Sequence, residues 1–127
     1  MMRTQSAHML GDFLERVVDP QGGGLSPDRV GDALKMSVAD MSRVTRLHRN
    51  TLTRTPGSPS VQARVGEVAR IVAQAAEIIG DEARAVVWFR HQPLTAFDGA
   101  TAEELVSAGQ GGAVLKHLDT LADGGYA

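Results

Sequence analysis

Apolar residues at Met9, Leu10, Phe13, Leu14, Val17 and Val18 fall along one side of a helix that Asp19-Pro20 brings to an end. The following "PQGGG" has no apolar side and reads as a flexible joint. Ser26-Pro27 predicts the next helix start, because a Ser side chain accepts an orphan backbone N–H and Pro at the first helical position has no N–H to leave unpaired. Val30, Ala33 and Leu34 form its buried side. A second start at Ser37 sets Val38, Met41 and Val44 inward, and a third short helix runs from about His48 to Arg54 with Leu47 and Leu52 inward. The "TPGSPS" run that follows, with two Pro and a Gly, stops helix formation.

Beyond it the pattern changes. Val61, Val65, Val68, Val72, Ala75 and Ile79 recur at alternating four- and three-residue steps, and Gly80 closes the run as a left-handed cap. This predicts one long helix that serves as a core spine. Asp81 caps a helix through Arg90 that brings Ala85, Val86, Trp88 and Phe89 near one another, and Pro93 and Gly99 bound a short loop. Thr101 and Glu104 form a capping box for a helix with Leu105 and Val106 inward, ending at Gly109. A last helix, about Gly112 to Asp123, buries Val114, Leu115, Leu118 and Leu121, and Gly124-Gly125 stops it. No stretch alternates as a strand does, so the fold class is all-α. The chain divides into an N-terminal helix and joint (1–24), a region of short helices (25–58), and a long helix with a C-terminal helical unit (59–127).

A length of 127 residues with 43% apolar content suffices for one core. The chain lacks an apolar run of membrane-spanning length and the layout of a secretory leader, which points to a soluble cytoplasmic protein. It has no Cys, so disulfides and thiolate metal sites are excluded. The net charge of -2 conceals an asymmetry. Four Arg stand against one Asp between Asp40 and Pro56, and five carboxylates stand against one Lys from Asp98 to Ala127. The middle suits a polyanion and the end suits a basic or neutral partner.

Residues 38–54, "VADMSRVTRLHRNTLTR", have the inside-outside order of a helix-turn-helix. Ser42 is small where the helices approach, Leu47 lies in the turn, and Leu52 anchors the second helix. That helix exposes Arg49, Asn50, Thr51, Thr53 and Arg54, with Arg46 just before it. Arg pairs bidentately with guanine, Asn with adenine, and Thr bonds phosphate. Two positions depart from the usual pattern: Arg46 stands where the turn favours Gly, and His48 stands where Ser or Thr usually caps.

Catalytic chemistry has little support. His8, His48, His91 and His117 have no zinc-like spacing, and the best cluster, His91 with Asp98 and His117 with Asp119, has no nucleophile or phosphate loop beside it. "GQGG" at 109–112 lacks the preceding strand and the Lys-Ser or Lys-Thr of a phosphate loop, and reads as a bend between helices. The expectation is a protein that is not an enzyme and needs no cofactor.

The final stretch from Trp88 to Ala127 holds the only Trp, the only Tyr and two of the three Phe. Its pattern "W…F.G.TAEELV..G…AVL..LD.L..GGYA" resembles the C-terminal toxin-binding domain of Xre/MbcA/ParS-type antitoxins, and the likeness continues more loosely back to about Ser26, where that family's Xre-like helix-turn-helix region lies. The resemblance implies a type II antitoxin whose partner is a RES-domain toxin acting on NAD, by degrading it or transferring its ADP-ribose. It implies that Trp88, Phe97, Leu105 and Leu118 pack the toxin-binding domain. It also implies that Gly124, Gly125, Tyr126 and Ala127 reach the toxin's NAD cleft, with Asp119 and Asp123 assisting. The paired Gly bend, the ring gives apolar contact, and a terminal carboxylate meets groups that hold phosphates. The same resemblance gives the helix-turn-helix operator DNA to bind, as a homodimer or a larger toxin–antitoxin complex. Two other readings stay open: a helix-turn-helix transcription regulator whose C-terminal region only dimerises, and a small hydrolase using His91 or His117.

Overall fold

A computed structural model describes residues 11–124. Met9 and Leu10 at one end, and Gly125, Tyr126 and Ala127 at the other, lie outside the described residues. Within them the chain is all-α, with α1 helical over 11–16, then α2 (Pro27–Ala33), α3 (Val38–Thr45), α4 (Arg49–Arg54), α5 (Pro59–Ile79), α6 (Glu82–His91), α7 (Ala102–Ser107) and α8 (Gly111–Ala122). A single 3₁₀ turn, Thr95–Phe97, joins α6 to α7.

The start signals act as their chemistry requires. The side chains of Ser26, Ser37, Ser58, Asp81 and Thr101 each accept a backbone N–H in the first turn of α2, α3, α5, α6 and α7. Ser37 with Asp40 and Thr101 with Glu104 form reciprocal capping boxes, only the second of which the sequence reading named.

The spine is α5, about 32 Å long at 1.5 Å per residue. It buries Val61, Val65, Val68, Ala69, Ile71, Val72, Ala73, Ala75 and Ala76. It packs on α2, α3, α6 and α8. Each fully buried Val or Ile is worth roughly 1.5–3 kcal/mol, so this helix carries a large share of the hydrophobic stabilisation. Gly80 ends α5 in the left-handed conformation (φ 83°). The predicted apolar strip, however, does not stay buried to its end: Ile79 is 36% exposed and Ile78 39%. The last turn of the spine is thus only partly covered.

Four further expectations are corrected. First, the "PQGGG" segment is a closed loop rather than a flexible joint. Val18 and Leu25 form an antiparallel bridge, Asp19 N–H donates to Gly24 O at 2.7 Å, and Ser26 N–H donates to Val17 O at 2.7 Å. Gly22, Gly23 and Gly24 all take positive φ, which only glycine adopts without strain, and the loop folds α1 back so that Phe13 and Val17 enter the core. Second, Val38 is 40% exposed at the first turn of α3, while Met36, unassigned from sequence, is buried. Third, Leu115 and Leu121 on α8 are only partly buried, whereas Val114 and Leu118 are fully inside. Fourth, Thr51 on α4 is half-buried, because it sits next to the anchor Leu52.

Candidate partner-binding surfaces

The α3–α4 hairpin is built by a small set of polar contacts. Ser42 is more than a small residue, since its hydroxyl donates to Leu47 O at 2.6 Å and ties the turn to α3. Arg46 caps α3 in the left-handed conformation (φ 59°), where a side chain costs about 1–2 kcal/mol relative to glycine. Arg64 on α5 donates to the carbonyls of Thr45 (3.0 Å) and Arg46 (3.4 Å), placing a cation at the negative end of α3. His48 does cap α4: its Nδ1 accepts from Asn50 N–H at 3.0 Å.

Arg49, Asn50, Thr53 and Arg54 are exposed on α4. Arg46 is exposed too, but it points elsewhere. A Cβ on Gly109 would lie 3.1 Å from its guanidinium, so Arg46 lies against the bend between α7 and α8. Arg43, counted in the basic segment, is half-exposed but ion-paired. It meets Asp40 at 3.3 Å and Glu103 at 3.1 Å. The basic excess read along the chain is therefore smaller on the surface, and so is the acidic excess, because Glu103 is consumed in the same cluster.

That cluster is the main feature that sequence reasoning missed. Glu103 on α7 is only 8% exposed and takes two arginines at once, Arg43 from α3 and Arg90 Nε from α6 at 2.8 Å. Arg90 also contacts Asp40 at 3.6 Å and donates to Lys35 O at 2.8 Å. Three helices and the loop after α2 are thereby tied to one carboxylate. The Ser37 backbone N–H lowers the pKa of Asp40 most; burial opposes this, and Arg43, the Ser37 hydroxyl and Arg90 reinforce it. Burial acts to lower the pKa of Arg43, but the carboxylates of Glu103 and Asp40 outweigh it and raise it. No spacing signal in the sequence pointed to it, since of these pairs only Asp40–Arg43 is local.

In the C-terminal unit Leu105 and Leu118 are buried, and Trp88 and Phe97 are partly buried against the same core. Phe97 and His117 meet edge to face, with centroids 5.6 Å apart. His117 thus has a packing partner, and His91 is exposed at the end of α6. The "GQGG" segment is a bend, and Gly111 is buried where a Cβ would overlap the Glu67 carboxylate. Among the described residues no group of His, Asp and Glu has the arrangement to hold a metal ion, and no helix is long and apolar enough to cross a membrane.

Asp119 and Asp123 are exposed one turn apart on α8. Asp119 accepts from Gln74 Nε2 at 2.5 Å, and Asp123 sits at the helix C-cap. Like charges at this spacing repel, and the helix dipole adds negative partial charge at the same end, with no basic residue in the last turn. Gly124 then takes φ 77°, so the backbone leaves the axis of α8. Gly125, Tyr126 and Ala127 lie beyond the described residues.

Residues 74–124 match the family described as antitoxin Xre/MbcA/ParS C-terminal toxin-binding domain. No curated protein and no solved structure matches the chain.

Proposed function

We propose that this chain, which over residues 74–124 carries the toxin-binding domain of Xre/MbcA/ParS antitoxins, is the antitoxin of a type II pair and neutralises a RES-domain toxin by closing its NAD site. The family match is the observation that carries the reading. The acidic end of α8 supports it, because an enzyme that binds an anionic dinucleotide presents positive charge at its mouth, and Asp119 and Asp123 meet that charge while relieving their own repulsion. From Gly124 the chain continues through Gly125 and Tyr126 to Ala127. Tyr126 supplies the apolar contact inside the cleft, and the two glycines give the bend that entry requires. Inhibition is steric and electrostatic, so the antitoxin acts in the cytoplasm without catalysis and without a cofactor of its own.

The α3–α4 hairpin gives the second activity, repression of the pair's own operon. Arg49, Asn50, Thr53 and Arg54 stand exposed on α4, Thr51 is half-buried among them, and Arg46 flanks the turn. Neither Arg49 nor Arg54 has an ion-pair partner among the described residues. A homodimer, or a larger complex with toxin, presents two such helices to operator DNA.

Co-expression with the protein encoded by the neighbouring open reading frame tests the first activity. Growth is rescued by the full chain and lost when residues 126–127 are deleted; rescue by the truncated chain refutes the tail mechanism. For the second activity, operator binding that weakens steeply with salt and disappears in Arg49→Ala and Arg54→Ala is expected. A chain that binds DNA but no neighbouring protein is instead a plain transcription regulator.

A further inference from the structure

Large apolar side chains left exposed among the described residues are Val18, Val38, Ile78, Ile79 and Val87. Three of the five fall inside the toxin-binding stretch, and Val87 is the most open at 59%. On α6, Ala85, Val86 and Phe89 are turned into the core, so Ala83 and Val87, one turn apart, form a ridge on the opposite face. A groove lies on each side of that ridge. One, of about 500 Å³, is lined by Ile79, Arg84 and Trp88 as well as the ridge; the other, of about 440 Å³, adds Ala33, Lys35 and Val86.

The rim charges are unequal. Glu82 is paired with Arg16, and the Asp81 carboxylate accepts the Arg84 backbone N–H. The side chains of Arg84 and Lys35 have no ion-pair partner among the described residues, and Asp81 keeps its charge despite that hydrogen bond, so the rim carries a net excess of one positive charge. A second copy of the chain packed on this face about a two-fold axis would set one net positive rim against another. A different protein, with carboxylates beside an apolar patch, fits better. Size points the same way. A stable complex buries about 800 Å² on each partner, which a terminal segment of four residues does not supply.

We infer that the outer face of α6, centred on Val87, is the principal docking surface for the toxin, and that it receives an apolar patch of the toxin flanked by carboxylates. The inference rests on the antitoxin reading. The α6 face supplies affinity, and the acidic end of α8 with its tail supplies occlusion.

The test is titration calorimetry of the full chain with the product of the neighbouring open reading frame. Val87→Asp weakens binding about thirtyfold and Val87→Ser about tenfold, while both melt with the wild type because the side chain is mostly in solvent. Arg84→Glu weakens binding at low salt, and the loss shrinks as salt rises. Deletion of residues 126–127 leaves most of the affinity and removes neutralisation. Wild-type affinity in both Val87 variants overturns the inference, as does a shift from dimer to monomer on sedimentation with toxin binding unchanged, which gives the face to a second copy. Absence of binding by the wild-type chain removes the antitoxin reading itself, and the α6 assignment with it.

Discussion

Replacing Glu103 by Gln probes the joint between the α3–α4 hairpin and the C-terminal unit while keeping the shape of the side chain. Removing one partner of a buried pair costs about 3–5 kcal/mol when the remaining charge has no other recourse. Here it has some. The Arg43 side chain is 50% exposed, so solvent screens it and its share falls to the ~0.2–1 kcal/mol of a surface pair. Arg90 is 20% exposed and keeps the Lys35 carbonyl and the Asp40 carboxylate. The expected loss for Glu103→Gln is therefore roughly 2 kcal/mol, read as a fall of about 6–8 °C in Tm for a chain of this size. Urea unfolding followed by circular dichroism, in a double-mutant cycle with Arg90→Ala and Arg43→Ala, apportions it. The Glu103–Arg90 coupling should be about 1–2 kcal/mol and the Glu103–Arg43 coupling below about 1 kcal/mol. Equal couplings, or a Glu103→Gln chain as stable as wild type, refute the claim that burial at Arg90 decides the strength of this joint.

Three other outcomes are expected. Gly80→Ala lowers stability by about 1 kcal/mol through backbone strain alone, since a Cβ there meets nothing within 4 Å; a chemical-denaturation midpoint unchanged from wild type contradicts the left-handed cap. Arg46→Gly relieves the same strain at the end of α3 and raises the unfolding free energy by up to about 1 kcal/mol, seen as a higher denaturation midpoint, whereas a fall shows that the contact with Gly109 outweighs it. The lowered pKa of Asp40 makes its contribution complete above the ordinary value of 3.8 and lost as pH falls through the lower folded value. Thermal melts from about pH 5 to pH 2 should therefore drop less steeply in Asp40→Asn than in wild type, and parallel curves would refute the linkage.

Helix existence, caps and spacing were legible from the chain because they depend on neighbours within four residues. Ser26-Pro27, Asp81, Thr101 with Glu104, and Gly80 each act locally and can be read locally. The long-range contacts were not. Nothing near Glu103 in sequence announces that Arg43, sixty residues earlier, meets it, or that Gln62 closes the N-terminal loop by bonding both backbone groups of Leu25. Charge runs misled for the same reason, since a run records composition while pairing depends on which helices pack. Val38 and Ile79 follow the helical period yet are partly exposed, because periodicity marks a side of a helix and not how completely its neighbours cover it. The ridge on α6 was not legible either: Val87 falls outside the inward set of that helix, but whether another helix covers its face depends on where α5 and α7 pack.

The spine α5 bears on how such a protein can be rearranged. The matched stretch begins at residue 74, in the interior of a helix that started at Pro59. A chimera joined at that boundary would graft one partner's recognition unit onto half a rod, leaving Val61, Val65 and Val68 to find new company. Swapping toxin specificity between relatives is thus mechanically simplest when the whole rod travels with the C-terminal helices and its N-terminal half is recut to suit the helices it meets. The two proposed roles, toxin neutralisation and operator binding, are then coupled through a shared strut.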